Sequence, residues 1–270
     1  DKSWFVQVKG QNFMLNGKPI RFTGFNMFDA ASSERWQCEP HHALTREQLK
    51  EQFKALKDKS GARVIRFWAY QPYTDGGKDW AGVDRVISVA KELQMLVIPV
   101  FEDGPGYCTG APNEGEDKGK YENDTYYGQG YLKPYGKNQH SLRDYARMVA
   151  ERYRDETTIA AWMIVNEAET KQRAADGKSV LVEMARDVAR VIKEVDPNHL
   201  VTLGTQSNGA KGASGQDFRD IYSLPEMDGA IDPVIIGAVT DGRFQSAPDR
   251  LQRLVVLVRQ WAALKHKPNK

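Results

Sequence analysis

One apolar run constrains the fold of this chain more than any other feature. Residues Ile159 to Val165 carry no charged side chain, and they are followed directly by an amide and a carboxylate, Asn166 and Glu167. Such a run is typical of a strand buried on both faces, as in a parallel sheet covered by helices. The residues after it then lie at the rim of the sheet, where α/β barrels have their active sites. Glu167 is therefore the first candidate catalytic residue, and the alternative is that Asn166 and Glu167 simply begin a loop or cap a helix.

Apolar strands and amphipathic helices alternate along the rest of the chain. The predicted strands are Arg21 to Asn26, Arg63 to Trp68, Met95 to Phe101, Ile159 to Val165, Leu200 to Gly204 and Pro233 to Ala238. This alternation is typical of a parallel sheet with crossover helices, and 270 residues suit one (β/α)8 barrel of roughly 250 residues. We therefore predict an α/β fold and a single barrel domain over residues 1–270.

The connections carry their own signals. An N-terminal hairpin is predicted from Trp4 to Leu15 with the Asn16-Gly17 turn, and Thr45 with Gln48 predicts a capping box at a helix start. Ser141 with Asp144 has a similar form. The remaining helices are predicted over Val180 to Val195 and Leu251 to Leu264.

Residues 102–139 form a connection that is too long for a plain turn. They contain eight glycines and six tyrosines, without helical or strand periodicity. Loops of this length are usually functional or disordered, and the tyrosines argue against disorder. We expect this segment to form a platform over the site.

Composition excludes several classes of partner. The chain has 38 Lys plus Arg and 36 Asp plus Glu, so its net charge of +2 creates no general attraction for nucleic acid or a membrane surface. No apolar run approaches the roughly 18 residues of a membrane span, and the first residues lack a signal-peptide core. A mature exported protein with its signal removed has the same features. A neutral or weakly charged partner fits this composition better.

Cysteine and histidine side chains can form disulfide bonds or bind metal ions. Cys38 and Cys108 fall in the predicted loops after the first and third barrel strands, on one face of the barrel, and the sequence leaves a disulfide and two free thiols equally open. His41 and His42 are adjacent, with no further ligand at metal-binding spacing. We expect neither a metal nor a cofactor.

Polar and aromatic residues follow the ends of several predicted strands. These candidate substrate-binding residues are Asn26, Arg66, Trp68, Tyr70, Asn166 and Gln206. Sugar rings present hydroxyls to amide, guanidinium and carboxylate groups and apolar faces to Trp or Tyr, so this mixture favours a neutral carbohydrate ligand. The alternative is that each aromatic residue belongs to the core.

Hydrolysis of a glycosidic bond requires two carboxyl groups. One protonates the leaving oxygen, and in a retaining enzyme the other attacks the anomeric carbon from a carboxyl group roughly 5 to 5.5 Å away. Glu167 suits the proton donor, Asn166 can orient a sugar hydroxyl, and Arg66 can keep a second carboxylate ionised. Glu102, Asp103 and Glu169 are weak candidates for that second carboxylate.

Three segments resemble glycoside hydrolase family five and its clan A relatives, in particular the endo-β-mannanase-like members. They are Leu15 to Asn26, Val64 to Trp68, and Tyr153 to Trp162 with Asn166-Glu167, within a resemblance that runs from about residue 10 to residue 210. The resemblance implies that Glu167 is the acid/base, Asn166 the hydroxyl-binding amide and Arg66 the arginine of the second strand. It also implies a (β/α)8 barrel that cleaves β-mannan or β-glucan with retention.

The end of the chain departs from this family. Val239 and Asp241 stand where a His and a Tyr are expected after the sixth strand, and the chain ends at Lys270, before the expected nucleophilic glutamate. A barrel cut after its sixth βα unit would expose sheet edges. We considered a fragment or altered end, strands supplied by another chain, and additional strands hidden in 102–139 or 205–232, and we favour the first.

The expected function is therefore a secreted or cell-surface retaining glycosidase acting on a β-linked polysaccharide, weakly active or inactive as written if its nucleophile is absent. The alternative is a non-catalytic barrel that binds carbohydrate. An aldolase-like barrel would require a lysine at the end of a strand, and none is convincingly placed. The oligomeric state is left open.

Overall fold

The described part of the chain forms two sheets, a small N-terminal one and a larger one that is covered by helices. The computed structural model describes residues 1–10, 12–38, 43–104, 106, 108, 126–136, 138–205 and 209–228, and the backbone of residues 232–238 and 252–257.

The N-terminal sheet has three antiparallel strands, β1 (Gln7–Lys9), β2 (Asn12–Leu15) and β3 (Lys18–Ile20). The predicted Asn16-Gly17 turn is confirmed, with φ of 51° and 72°, as expected for a two-residue type I′ turn. The predicted hairpin is present as β1 paired with β2, and the Asn16-Gly17 turn joins β2 to a third strand, β3, which was not predicted from the sequence. Trp4 lies outside the sheet, in a short 3-10 helix over Lys2–Trp4.

Five parallel strands form the centre of the larger sheet. They are β4 (Gly24–Asn26), β5 (Val64–Trp68), β6 (Leu96–Asp103), β7 (Ala161–Asn166) and β8 (Leu200–Thr202), and they are neighbours in chain order. The first five predicted strands are thus confirmed, with shifts of a few residues at their ends. The described residues thus form an α/β architecture whose five parallel strands are compatible with a (β/α)8 barrel.

Helices cover this sheet. They are α1 (Arg46–Ser60), α2 (Ala81–Glu92), α3 (Leu142–Tyr153), α4 (Val180–Val195) and α5 (Gln216–Tyr222). The capping box of Thr45 and Gln48 is present, and the Ser141 hydroxyl accepts the N–H of Asp144, so both predicted helix starts are confirmed. The bounds of α4 agree with the predicted ones. No helix among the described residues is long and apolar enough to cross a membrane.

Two further strands lie at the β4 edge. Strand β9 (Asp232–Ala238) pairs antiparallel with β10 (Gln252–Leu257), and β10 pairs antiparallel with β4. The predicted sixth strand therefore exists, but it lies at the edge opposite β8. The helix predicted from Leu251 to Leu264 is wrong over β10, because its apolar, partly β-branched residues supply a strand that satisfies the β4 edge.

A buried polar cluster holds the amino ends of the strands on the side away from the rim. The Trp162 indole N–H donates to Asp196 Oδ2 at 2.6 Å, and the same oxygen lies 2.6 Å from His199 Nδ1. His199 Nε2 donates to the carbonyl of Glu156 at 2.9 Å. Asp196 thus links α4 to the strands on either side of it, and it fixes the frame on which the rim is built.

Candidate active site

The carboxyl ends of four neighbouring strands bring the predicted residues together at one rim. Asn26 lies opposite Arg66 in the register of β4 and β5, and Asp103 lies opposite Asn166 in that of β6 and β7. All four side chains are buried. The parallel register therefore creates one polar cluster from residues that are up to 140 positions apart in sequence.

Arg66 is the centre of this cluster. Its Nη1 donates to Asn26 Oδ1 at 3.0 Å, and its Nη2 donates to Asn166 Oδ1 at 2.6 Å. On the other side of the amide, Asn166 Nδ2 donates to Asp103 Oδ1 at 3.1 Å. The Asn166 amide is thus held between a donor and an acceptor, which fixes its orientation. The NH2 group has two N–H bonds, and only one of them donates to Asp103, so the other can donate to a further acceptor.

The charge of Arg66 requires compensation, because the side chain is only 1% exposed. Burial lowers the pKa of Arg66, whereas its electrostatic interactions with Tyr70, Glu167 and Asp103 raise it. An arginine nevertheless stays protonated in proteins. Two carboxylates act on this cation, the partly exposed Glu167 with the larger effect and the buried Asp103 with the smaller one.

Glu167 follows β7 at a sharp bend of the backbone. Its φ is 56°, in the left-handed region that costs a residue other than glycine roughly 1 kcal/mol. The next residue, Ala168, forms a parallel bridge to Thr205 after β8, which holds the bend in place. Glu167 itself is partly exposed, so its carboxyl group can reach a ligand at the rim. Strained backbone of this kind is concentrated at active sites.

Glu102 is a buried carboxyl group directly beside Asp103. Burial, together with the neighbouring charge of Asp103, raises the pKa of Glu102 to about 8. Its Oε2 accepts from the Tyr126 hydroxyl at 3.2 Å and from Asn138 Nδ2 at 3.1 Å, and its Oε1 accepts the Asp103 N–H. A pKa of about 8 leaves Glu102 mostly protonated at pH 7.

These contacts bear on the search for a second catalytic carboxylate. Both oxygens of Glu102 accept hydrogen bonds from the protein, and Asp103 receives Asn166 Nδ2 on one oxygen and the Cys108 N–H on the other. Neither carboxyl group is thus placed to attack a ligand. Glu169 is partly exposed and lies two residues after Glu167.

Three aromatic rings extend from the cluster. Phe28 packs on Trp68 with ring centroids 4.5 Å apart, and Trp68 stacks on Tyr70 at 5.1 Å. Tyr70 is fully buried, and burial followed by the charge of Asp103 raises its pKa well above the usual value. Only Trp68 of these two predicted ligand-binding rings is partly exposed. Tyr70 therefore supports Trp68 from below.

A disulfide bond between Cys38 and Cys108 joins the loops after β4 and β6, with Cα atoms 5.1 Å apart. The Cys108 N–H donates to Asp103 Oδ2 at 3.1 Å. On the other side, Asp29 accepts the Tyr73 hydroxyl at 2.6 Å and the Cys38 N–H at 3.4 Å. The two cysteines are thus bonded, which the sequence left open. The bond also holds Cys108, whose N–H fixes the orientation of the Asp103 carboxylate.

The structure also adds site residues that sequence reasoning missed. Tyr126 and Asn138 belong to the segment over residues 102–139, and their contacts to Glu102 bring part of that segment to the rim, as predicted. The only signal for them was the tyrosine content of the segment. The described residues contain no group of three or more His, Cys, Asp or Glu side chains that could hold a metal ion.

Some predicted positions lie outside the described residues. They are His41, His42, Gln206, Val239, Asp241 and the segment after Leu257. The predictions for these positions, including the place of a nucleophile, stay predictions.

Comparison with known proteins agrees with the geometry of the rim. Residues 13–248 match the family model described as cellulase, glycosyl hydrolase family 5. Mannan endo-1,4-beta-mannosidase 3 of Solanum lycopersicum is 30% identical over 93% of this chain and 66% of its own length. A probable mannan endo-1,4-beta-mannosidase C of Aspergillus terreus is 26% identical over 95% of this chain and 68% of its own length.

The solved structures agree on the fold. An endo-beta-1,4-mannanase from Thermotoga petrophila superposes with a TM-score of 0.59 at 20% identity, over 79% of this chain and 52% of the other. The chain therefore spans about two thirds of the length of these curated relatives and about half of this structure. Because the family model covers most of the 270 residues, this chain belongs to glycosyl hydrolase family 5.

Proposed function

We propose that this chain acts as a retaining glycoside hydrolase that cleaves β-linked polysaccharide, with Glu167 as the general acid/base. The observation that carries the proposal is the cluster of Arg66, Asn166 and Asp103, which holds the end of β7 rigidly beside Glu167. The names of the relatives point to β-mannan as the first substrate to test, with β-glucan second.

Each residue then has a role that follows from its contacts. The Glu167 carboxyl group protonates the leaving glycosidic oxygen and later removes a proton from water. Asn166 offers its remaining N–H to the sugar hydroxyl beside the reacting carbon, because its other groups are held by Arg66 and Asp103. Arg66 is a positioning residue, since it is too deeply buried to contact substrate. The ring of Trp68 supports the apolar face of a sugar.

The nucleophile is proposed to be a carboxylate outside the described residues. Retention requires a carboxyl group roughly 5 to 5.5 Å from the acid/base. Glu102 and Asp103 are committed to hydrogen bonds within the protein. Glu102 instead keeps the rim in shape, as a neutral group between Asp103 and the segment that carries Tyr126.

Release of reducing ends from β-mannan, cellulose and xylan tests the function. Glu167→Gln keeps the size of the side chain but cannot supply a proton, so we expect its rate to fall by about 100-fold to 10,000-fold. Glu151→Gln, at an exposed position of α3, is the matched control, and we expect its rate to stay within about threefold of that of the unaltered chain. Equal rates for Glu167→Gln and the unaltered chain would exclude the proposed role.

A second candidate is a barrel that binds carbohydrate without cleaving it. The observation that favours it is Val239 and Asp241 at the positions of the expected His and Tyr. Saturable binding of mannohexaose with no release of reducing ends by the unaltered chain, even on long incubation, supports this candidate. Turnover that depends on Glu167 excludes it.

We also propose that the protein is secreted or held at the cell surface. The Cys38–Cys108 bond supports this, because structural disulfides persist mainly in oxidising compartments. Fractionation of the producing cells tests the proposal. The protein is expected outside the cytosol with no titratable thiol, and a cytosolic protein with two free thiols would contradict it.

A further inference from the structure

A groove of about 750 Å³ lies at the amino ends of the strands, opposite the rim. It is lined by the N-terminal sheet and by Arg63 and Leu96, which lie at the starts of β5 and β6. The candidate active site is at the other end of the same strands. The eight residues of β6, at about 3.3 Å each, place the two sites roughly 25 Å apart.

The groove has an apolar floor and one exposed aromatic ring. Leu15, Phe22 and Leu96 line it, and the side chain of Trp4 at its edge is 61% exposed. Trp4 is held in an ordered turn, since its N–H donates to the Asp1 carbonyl and the N–H of Asn16 donates to the Ser3 carbonyl. An exposed flat ring beside an apolar floor suits the C–H face of a sugar ring.

The charge of the groove is one-sided. Arg21, Arg63 and Lys91 line it, and no aspartate or glutamate is among the described lining residues. Lys91 forms an ion pair with Glu156. Arg21 and Arg63 are exposed, and no described residue forms a hydrogen bond or ion pair with the side chain of either.

These two arginines differ from the others in the described part of the chain. Each of the others has a polar partner, such as Asp79 for Arg35 or Glu194 for Arg147. Two unpaired guanidinium groups in one groove leave several N–H donors directed to solvent or to a ligand. Guanidinium groups bind carboxylates in a two-pronged manner, which gives specificity as well as affinity.

We infer that this groove, which we call the N-terminal groove, binds an acidic polysaccharide. A sugar ring lies against Trp4, and uronate carboxylates of the same chain pair with Arg21 and Arg63. The choice of a saccharide over other anions rests on the proposed function, since a glycosidase meets polysaccharides continuously. The N-terminal groove would then hold the protein on a charged polymer while the rim acts on another chain.

Binding of polygalacturonate, measured by calorimetry, tests the inference on the unaltered chain. Fully methyl-esterified polygalacturonate is the matched neutral probe, because it keeps the sugar backbone and removes the charge. We expect binding of the acidic polymer in about 20 mM salt, loss of about tenfold in affinity in about 300 mM salt, and binding at least tenfold weaker for the ester. Equal binding of both polymers would overturn the assignment of an acidic ligand.

Paired variants separate the N-terminal groove from general charge. Arg21→Gln with Arg63→Gln, and separately Trp4→Ala, are each expected to weaken binding about tenfold or more. Lys9→Gln with Lys18→Gln removes the same charge from exposed positions of the N-terminal sheet outside the groove, and it is expected to change affinity less than about twofold. Equal losses in both double variants, or no binding by the unaltered chain, would overturn the proposal.

Hydrolysis of β-mannan by the same variants distinguishes this inference from the proposed function. Glu167→Gln is expected to bind polygalacturonate as tightly as the unaltered chain, and the groove variants are expected to keep their turnover of soluble mannan. Binding without any mannan turnover would refute the proposed function alone. Turnover without binding would refute the N-terminal groove alone.

Discussion

Asp103→Asn should be among the most damaging conservative substitutions in this chain. The two oxygens of Asp103 accept from Asn166 Nδ2 and from the Cys108 N–H. An asparagine has one oxygen and one NH2 group, so one of these two donors must then face another donor. The substitution also removes a buried carboxylate whose charge acts favourably on Arg66.

The magnitude follows from these two losses. A hydrogen bond to a charged group contributes about 1.5 to 3 kcal/mol, and a buried donor left without an acceptor costs about 1 to 3 kcal/mol. Because the partly exposed Glu167 still compensates part of the Arg66 charge, we expect the free energy of unfolding to fall by about 3 kcal/mol. Asp58→Asn is the control, since its ion pair with Lys54 is exposed, and it is expected to cost less than about 0.5 kcal/mol.

Urea unfolding at pH 6.5, followed by tryptophan fluorescence, measures both variants. Arg66→Met and the double variant with Asp103→Asn complete a double-mutant cycle. Because both residues act on Asn166, we expect the double variant to be more stable than the sum of the single effects by at least about 1 kcal/mol. Additive losses within about 0.5 kcal/mol, or an Asp103→Asn variant as stable as Asp58→Asn, would refute the linked cluster.

Three further predictions concern stability. Burial raises the pKa of Glu102 in the folded protein above its unfolded value. The free energy of unfolding is therefore expected to fall as pH rises from about 5 to 8, by up to about 1.4 kcal/mol per pH unit. Urea titrations should show a flatter slope for Glu102→Gln. Burial alone would raise the pKa of Asp196, but hydrogen bonds from His199 and Trp162 lower it. The contribution of Asp196 to stability is therefore present above about pH 4 and is lost as pH falls below it. In thermal unfolding, Asp196→Asn should destabilise the protein more at pH 7 than at pH 3. The disulfide bond joins positions 70 residues apart, so replacing both cysteines by serine is expected to lower the free energy of unfolding by about 2 to 4 kcal/mol. An unchanged free energy of unfolding would contradict a structural role for the bond.

Local signals predicted the elements that depend on local energies. Helix α4 was predicted with its observed bounds because a regular apolar face of eight buried residues lies between Ser179 and Asp196. Strand β7 was recognised because a continuous apolar run requires burial on both faces. The capping box of Thr45 and Gln48 is likewise complete within four residues.

The errors lie where distant segments decide the structure. The sequence predicts a helix at β10 because a short apolar run fits the helical period of 3.6 residues as well as the strand period of two. Pairing with β4 decides in favour of the strand. Burial raises the pKa of Glu102, and hydrogen bonds from Tyr126 and Asn138 oppose that rise, but no local pattern connects these two residues to Glu102. Arg66 was chosen for its place after a strand, but its role as a clamp on Asn166 follows only from the register of four strands.

The central claim is that Glu167 is the acid/base and not the nucleophile. Glu167→Ala, assayed on dinitrophenyl β-mannobioside with and without azide, tests it most directly, because this leaving group departs without protonation and the alanine leaves space for the small anion. The account predicts that azide accelerates turnover and yields the β-mannosyl azide, with retained configuration. Formation of the α-azide, or no effect of azide on the rate, would contradict it.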